Sequence, residues 1–254
     1  PEPDWDAAYA ALGAEIAAMH GAYVCGPDLG TGDAELAALR RTCSFVNPAG
    51  NDAGLSTAAG VHAGLRAVWR AIERPATGPR TVAIQGLGAV GRALAAMLRD
   101  EGVEVVGADV EPEACRVAAG LGVHIVSPAA VLAWPCDVLV PCAGGHVLDA
   151  TVIEGLRCRA VCGSANNQLA TPADALRLHA RGIVLAPDVV VSAGAVIEGV
   201  LTVQAGRDAA VRTRVRETIA AIEGTLAAVL DEAARRGVPP TAVAQARAVQ
   251  QLDA

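Results

Sequence analysis

Lysine is missing from this chain: all twenty basic residues are arginine. A lysine general base is therefore excluded within these residues, because arginine, with a pKa above about 12, stays protonated at any working pH. Basic tracts are missing as well, and with a net charge of −7 there is no electrostatic footprint for nucleic acid. No apolar run approaches the roughly 20 residues that cross a bilayer, and the N-terminus is acidic where a signal peptide would be basic and then apolar. These absences point to a cytoplasmic chain with no membrane partner. None of the seven cysteines forms a C-x-x-C pair, so they read as reduced, buried small hydrophobes and not as a disulfide or metal framework. An initiator methionine is also lacking, since the sequence opens on Pro1, which reads as a fragment or a processed chain.

What is present is a long alternation. With 254 residues and 53% hydrophobic content, the chain can bury one or two domains. Asp4 is placed to cap a helix whose apolar positions include Trp5, Tyr9, Leu12, Ile16 and Met19, ended by Gly21. Asp33 is placed to cap a second helix through Arg41, and residues 57–72 read as a third. From Thr81 onward, short runs near 81–85, 103–108, 123–126, 137–141, 160–163 and 183–186 alternate with helical segments. Runs that are apolar throughout suit strands buried on both faces, which implies an α/β, doubly wound parallel sheet of Rossmann type. After about residue 195 the pattern is helical again, with one long stretch from Asp208 to Arg236, a break at Pro239-Pro240 and a last helix from Thr241. The expected division falls at 1–52, 53–205, which holds the sheet, and 206–254, C-terminal helices.

The stretch "TVAIQGLGAVGRALAAMLRDEGVEVVGADV" carries the clearest chemistry. Gly86, Leu87, Gly88, Ala89, Val90 and Gly91 form G-x-G-x-x-G between a strand and a helix. In such a motif the first glycine makes the tight turn, the second admits a pyrophosphate close to the backbone, and the third lets helix pack on strand. Asp109 ends the next strand, 18 residues after Gly91, where a carboxylate takes the ribose hydroxyls and disfavours a 2′-phosphate. The expected cofactor is NAD.

Four further segments, "YVCGPDLGT", "STAAGVHAGL", "CDVLVPCAGG" with "AVCGSANNQLATPAD", and "GIVLAPDVVVSAGAVIEG", resemble the amino-acid dehydrogenases acting on glutamate, leucine, phenylalanine and valine. The likeness is closest to the leucine/phenylalanine/valine branch. It implies NAD-dependent oxidative deamination of an apolar L-amino acid to a 2-oxo acid and ammonia, in a homo-oligomer. It also implies a catalytic Asp28 at the substrate amino group, Thr57 near the nicotinamide carboxamide, and Ala143 and Gly144 lining the cofactor cleft through backbone. Asn166 and Asn167 would contact nicotinamide ribose and substrate, and Gly26, Ser192, Val196 and Gly199 would shape the side-chain pocket. No metal is implied.

Three departures stand out. The family's N-A-G-G segment is Ser192-Ala193-Gly194-Ala195 here, which alters one asparagine contact and one close glycine approach, and Glu198 precedes Gly199 in the pocket region. The family's two lysines, one anchoring the substrate carboxylate and one acting as base, have no counterpart, so the chain alone is expected to be inactive. A non-catalytic NAD-binding homologue, or another NAD enzyme on the same scaffold, stays open as an alternative.

Overall fold

The computed structural model describes residues 3–28, 31–48, 52–72 and 79–252. In chain order its elements are α1 (Trp5–Ala18), α2 (Asp33–Arg40), α3 (Ala53–Ala71), β1 (Thr81–Gln85), α4 (Ala89–Asp100), β2 (Glu104–Ala108), α5 (Pro112–Gly120), β3 (His124–Ile125), α6 (Pro128–Val131), β4 (Val138–Pro141), α7 (Ala150–Gly155), β5 (Ala160–Val161), α8 (Ala173–Ala180), β6 (Val184–Leu185), α9 (Asp188–Val191), α10 (Gly194–Ala205), α11 (Ala209–Ala220), α12 (Ile222–Arg236) and α13 (Pro240–Leu252). They form two compact units, a smaller one of Pro1–Ala53 with Ala195–Thr218 and a larger one of Gly54–Gly194 with Ile219–Ala254.

The larger unit is built on a six-stranded parallel sheet in the order β3-β2-β1-β4-β5-β6. All six strands lie within the runs read from the sequence. Val82, Ala83 and Ile84 of β1 and Val138 and Val140 of β4 are wholly buried, which is why these runs are apolar without alternation. On one face Leu139, Val161 and Leu185 pack with Leu148, Ile153 and Leu178. Each such aliphatic side chain contributes about 1.5–3 kcal/mol by leaving water. Helix α3 packs closely because it presents glycine: a Cβ at Gly60 would lie 2.7 Å from the Val191 carbonyl oxygen, and one at Gly64 2.5 Å from Val191 Cγ1. The chain winds outward from β1 to β3, then crosses back to β4. The order reverses between β1 and β4, where open parallel sheets bind ligands beyond the strands' C-terminal ends.

In the smaller unit, α1 lies on α2 around Ile16, Leu36, Leu39, Cys43 and Val46. The Asp4 carboxylate accepts the Ala7 N–H at 3.0 Å, as the capping pattern predicts. Asp33 does not cap α2. Gly32 holds that position, Asp33 is the first helical residue, and the Glu35 carboxylate accepts the Gly32 N–H at 2.8 Å, so a carboxylate reaching back does the work expected of Asp33. The single helix expected from Asp208 to Arg236 is two helices, interrupted at Ala221. Val211 and Val215 of α11 and Leu226 and Val229 of α12 are buried. The seven cysteines are free thiols, and burial pushes Cys158 up to about 11 and raises Cys136 and Cys162 as well. Thiols so disfavoured as thiolates behave as small hydrophobes. No helix among the described residues is long and apolar enough to cross a membrane, and no group of metal-ligating side chains gathers among them.

Candidate functional site

The three glycines of the β1–α4 turn have three separate geometries. Gly86 adopts φ +95°, in the left-handed region, and a Cβ there would lie 2.8 Å from the backbone nitrogen of Ala143. The first glycine therefore lets the turn lie against the loop that follows β4. Gly91 presses on the turn itself, since a Cβ would sit 1.9 Å from the Gly86 carbonyl oxygen. Gly88, at the N-cap of α4, has nothing within 4 Å of its Cβ position. Two glycines are thus required by the protein's own packing, while the middle one faces open space where a ligand can approach the backbone. The first-turn N–H groups of α4 have no intrahelical partner and carry the positive end of the helix dipole. Leu87 is wholly buried, packed over Gly107 of β2, and Ala89 and Val90 open the helix.

Asp109 stands one residue beyond β2. Its carboxylate accepts the Leu87 N–H at 2.6 Å and the Glu111 N–H at 2.9 Å. A carboxylate has about four acceptor sites, so roughly two remain for other donors. Ala143 and Gly144 follow β4 on the far side of the reversal and are exposed, with Ala143 touching the glycine turn through its backbone.

Beyond β5, Asn166 and Asn167 are exposed, and Asn167 adopts φ +51°. Thr57 is partly buried in the first turns of α3 beside Gly194, whose Cβ would lie 1.8 Å from the Ser56 carbonyl oxygen and 3.0 Å from Thr57 Cα. The close approach of a glycine in the Ser192–Ala195 segment is therefore kept at Gly194. Ser192 is two residues away, its N–H bonded to the Asp188 carbonyl at 2.9 Å.

Asp28, Gly26, Val196 and Gly199 belong to the smaller unit. Asp28 is exposed and pairs with Thr31 through two backbone hydrogen bonds of 3.1 and 2.9 Å. Gly26 and Gly199 come together around a residue that the sequence reading did not single out. Cβ atoms at the two glycines would each lie 3.9 Å from the Asn47 side chain. Asn47 is buried at 5% exposure, its N–H bonded to the Cys25 carbonyl at 2.7 Å and its own carbonyl held by the Arg40 guanidinium. Val196 is 66% exposed and lines a depression with Val200, Leu201, Arg214 and Thr218.

A parallel six-stranded sheet with this glycine turn and acidic partner is common to many dinucleotide-binding proteins, so the rest of the chain must supply the distinction. Residues 113–254 match the model of the Glutamate/Leucine/Phenylalanine/Valine dehydrogenase family. A leucine dehydrogenase of Thermoactinomyces intermedius is 31% identical over 260 residues, covering 98% of this chain and 69% of its own length. The chain belongs to this dehydrogenase family. A valine dehydrogenase of Streptomyces albus is 34% identical, over 95% of this chain and 68% of the relative. Among solved structures, the L-tryptophan dehydrogenase from Nostoc punctiforme superposes with a TM-score of 0.83 at 25% identity, over 98% of this chain and 72% of that one. Family members are oxidoreductases acting on amino acids, and the chain spans about two thirds of the length of these relatives.

Proposed function

We propose that this chain forms the dinucleotide-binding part, and some of the substrate-binding part, of an NAD-dependent dehydrogenase of apolar L-amino acids. The observation that carries this reading is the Asp109 carboxylate fixed against Leu87 of the glycine turn. It leaves acceptor capacity beside an open helix N-terminus, which suits a ribose diol next to a diphosphate.

The fit to a dinucleotide is good at each point along the turn. Gly88 offers backbone without a side chain, α4 offers N–H donors and a positive dipole end, and Asp109 offers acceptors with a charge that opposes a 2′-phosphate. When bound, NAD supplies the hydride acceptor for oxidation of the amino acid. Asn166, Asn167 and Thr57 are assigned to orient the nicotinamide end, with Ala143 and Gly144 lining it. Asp28 is assigned to hold and relay a proton at the substrate nitrogen, because an exposed carboxylate beside an ammonium can accept one. Gly26, with the buried Asn47 and Gly199 packed near it, is assigned to the substrate side chain, and Ser192 lies on the segment that packs by Thr57. The relatives' names, leucine, valine and tryptophan dehydrogenase, agree with an apolar substrate. We take the working protein to be a homo-oligomer.

A non-catalytic NAD-binding role is the second reading, and the absence of lysine favours it. One comparison separates the two. NADH formation from leucine, valine and phenylalanine is measured for the 254-residue chain and for the product of the entire reading frame that encodes it. Activity in the latter supports the dehydrogenase, and NAD binding without activity in either supports the second reading.

A further inference from the structure

The loops after β4, β5 and β6 are joined by backbone contacts that an ordinary turn does not require. Asn167 and His146 are both left-handed without being glycine, at φ +51° and +58°. They are bonded to each other, the His146 N–H donating to the Asn167 carbonyl at 2.7 Å. On the opposite side, Asp188 Oδ2 accepts the Asn167 N–H at 2.6 Å, reaching across 21 residues, while Oδ1 accepts the N–H of Val189 at 3.0 Å. Gly145 closes the remaining side, since a Cβ there would lie 2.5 Å from the Asn166 carbonyl oxygen. Asn167 is thus gripped at its N–H by one loop and at its C=O by another.

Packing accounts for only part of this restraint. Gly145 lies against the turn, but His146, Asn167 and Asp188 all border a cavity of about 530 Å³ that also touches Leu169, Leu185 and Ala242. Left-handed backbone at a non-glycine residue is unfavourable and persists only where surroundings impose it. Here the strongest restraint is a hydrogen bond to an ionised carboxylate, shorter and stronger than a neutral one. The side chains of Asn166 and Asn167 stay exposed while their backbone is fixed. That combination, rigid frame and free amides, is what a ligand-orienting pair needs.

We propose that Asp188 is a positioning residue, holding the Asn166–Asn167 turn so that its amides meet the nicotinamide end of the dinucleotide. This rests on the assignment of the asparagine pair made above. Asp188 acts through Asn167 and touches no reacting atom.

The test is calorimetric titration with NAD and with ADP, which lacks both the nicotinamide and its ribose, alongside thermal melts. In the unaltered chain NAD should bind more tightly than ADP. Asp188→Ala should weaken NAD by about tenfold, as loss of a charged acceptor does, and leave ADP within about twofold. Asp188→Asn, which keeps an acceptor oxygen, should recover most of the difference. If the alanine variant does not fold, Asp188→Ser serves, because its hydroxyl can hold the Val189 N–H but is too short for Asn167. Equal losses for both ligands, or none for either, would overturn the proposal by showing a general structural role or no role. Failure of the unaltered chain to bind ADP would instead sink the dinucleotide reading itself, and the proposal with it.

Discussion

The Asp109 carboxylate accepts the Leu87 N–H at 2.6 Å, so the acid we propose for the ribose site also fastens the glycine turn. One carboxylate does both because it has acceptor sites to spare. NAD should therefore bind at least about tenfold more tightly than NADP, a difference of about 1.4 kcal/mol, since a 2′-phosphate would bring like charges together. Asp109→Ser should weaken NAD and narrow the gap. Parallel titrations of the two cofactors check this, and equal affinities in the unaltered chain would remove Asp109 from the ribose site.

The middle and last glycines of the turn should respond oppositely to a methyl group. Gly88→Ala adds a Cβ where nothing lies within 4 Å, so melting temperature should hardly move while NAD binding falls. Gly91→Ala places a Cβ 1.9 Å from a backbone oxygen, and overpacking of this kind destabilises by about 1–3 kcal/mol or more. Melts and NAD titrations of both variants give the comparison. A stable, tightly binding Gly88→Ala protein would mean that the open space is not where the diphosphate lies.

This contrast also marks where the sequence was legible. Glycine spacing and apolar strand runs are local signals with a steric cause, and the six strands and the glycine turn follow from them. Asn47 carries no such signal. It meets Gly26 and Gly199 only because the Cys25–Val46 bridge and α10 bring three distant stretches of one unit together. The interruption at Ala221 lacks the glycine or proline that would announce it. Asp188's hold on Asn167 spans 21 residues and depends on the order of β5 and β6 in the sheet.

Glu223 should set part of the acid sensitivity of the larger unit. Hydrogen bonds from the Arg66 guanidinium, at 2.5 Å, and from Arg70 hold its carboxyl below its ordinary value near 4.5. A depressed carboxyl contributes stability above its unfolded pKa and loses it as pH falls through the folded one. Glu223→Gln should thus lower stability by about 1 kcal/mol near neutrality, since the pair is partly exposed, and by much less near pH 3. Urea melts at the two pH values measure it. A loss that is the same at both would show that the ion pairs contribute nothing through charge.

The last expectation concerns the substrate. No lysine is available in these residues, so the 254-residue chain should form no NADH above background from leucine, valine or phenylalanine. In the product of the entire reading frame, the cation beside Gly26, Asn47 and Gly199, Arg40, already donates to the Asn47 carbonyl, so glutamate should be a poorer substrate than an apolar amino acid. Burying an unpaired charge there is costly, and apolar amino acids should be favoured by kcat/KM. Asn47→Ala widens the space between the two glycines. It should raise the ratio of phenylalanine to valine turnover by about tenfold or more, the discrimination that a small change of pocket volume gives. Steady-state assays with the four amino acids decide the matter. A preference for glutamate, or a ratio indifferent to Asn47, would place the substrate side chain elsewhere.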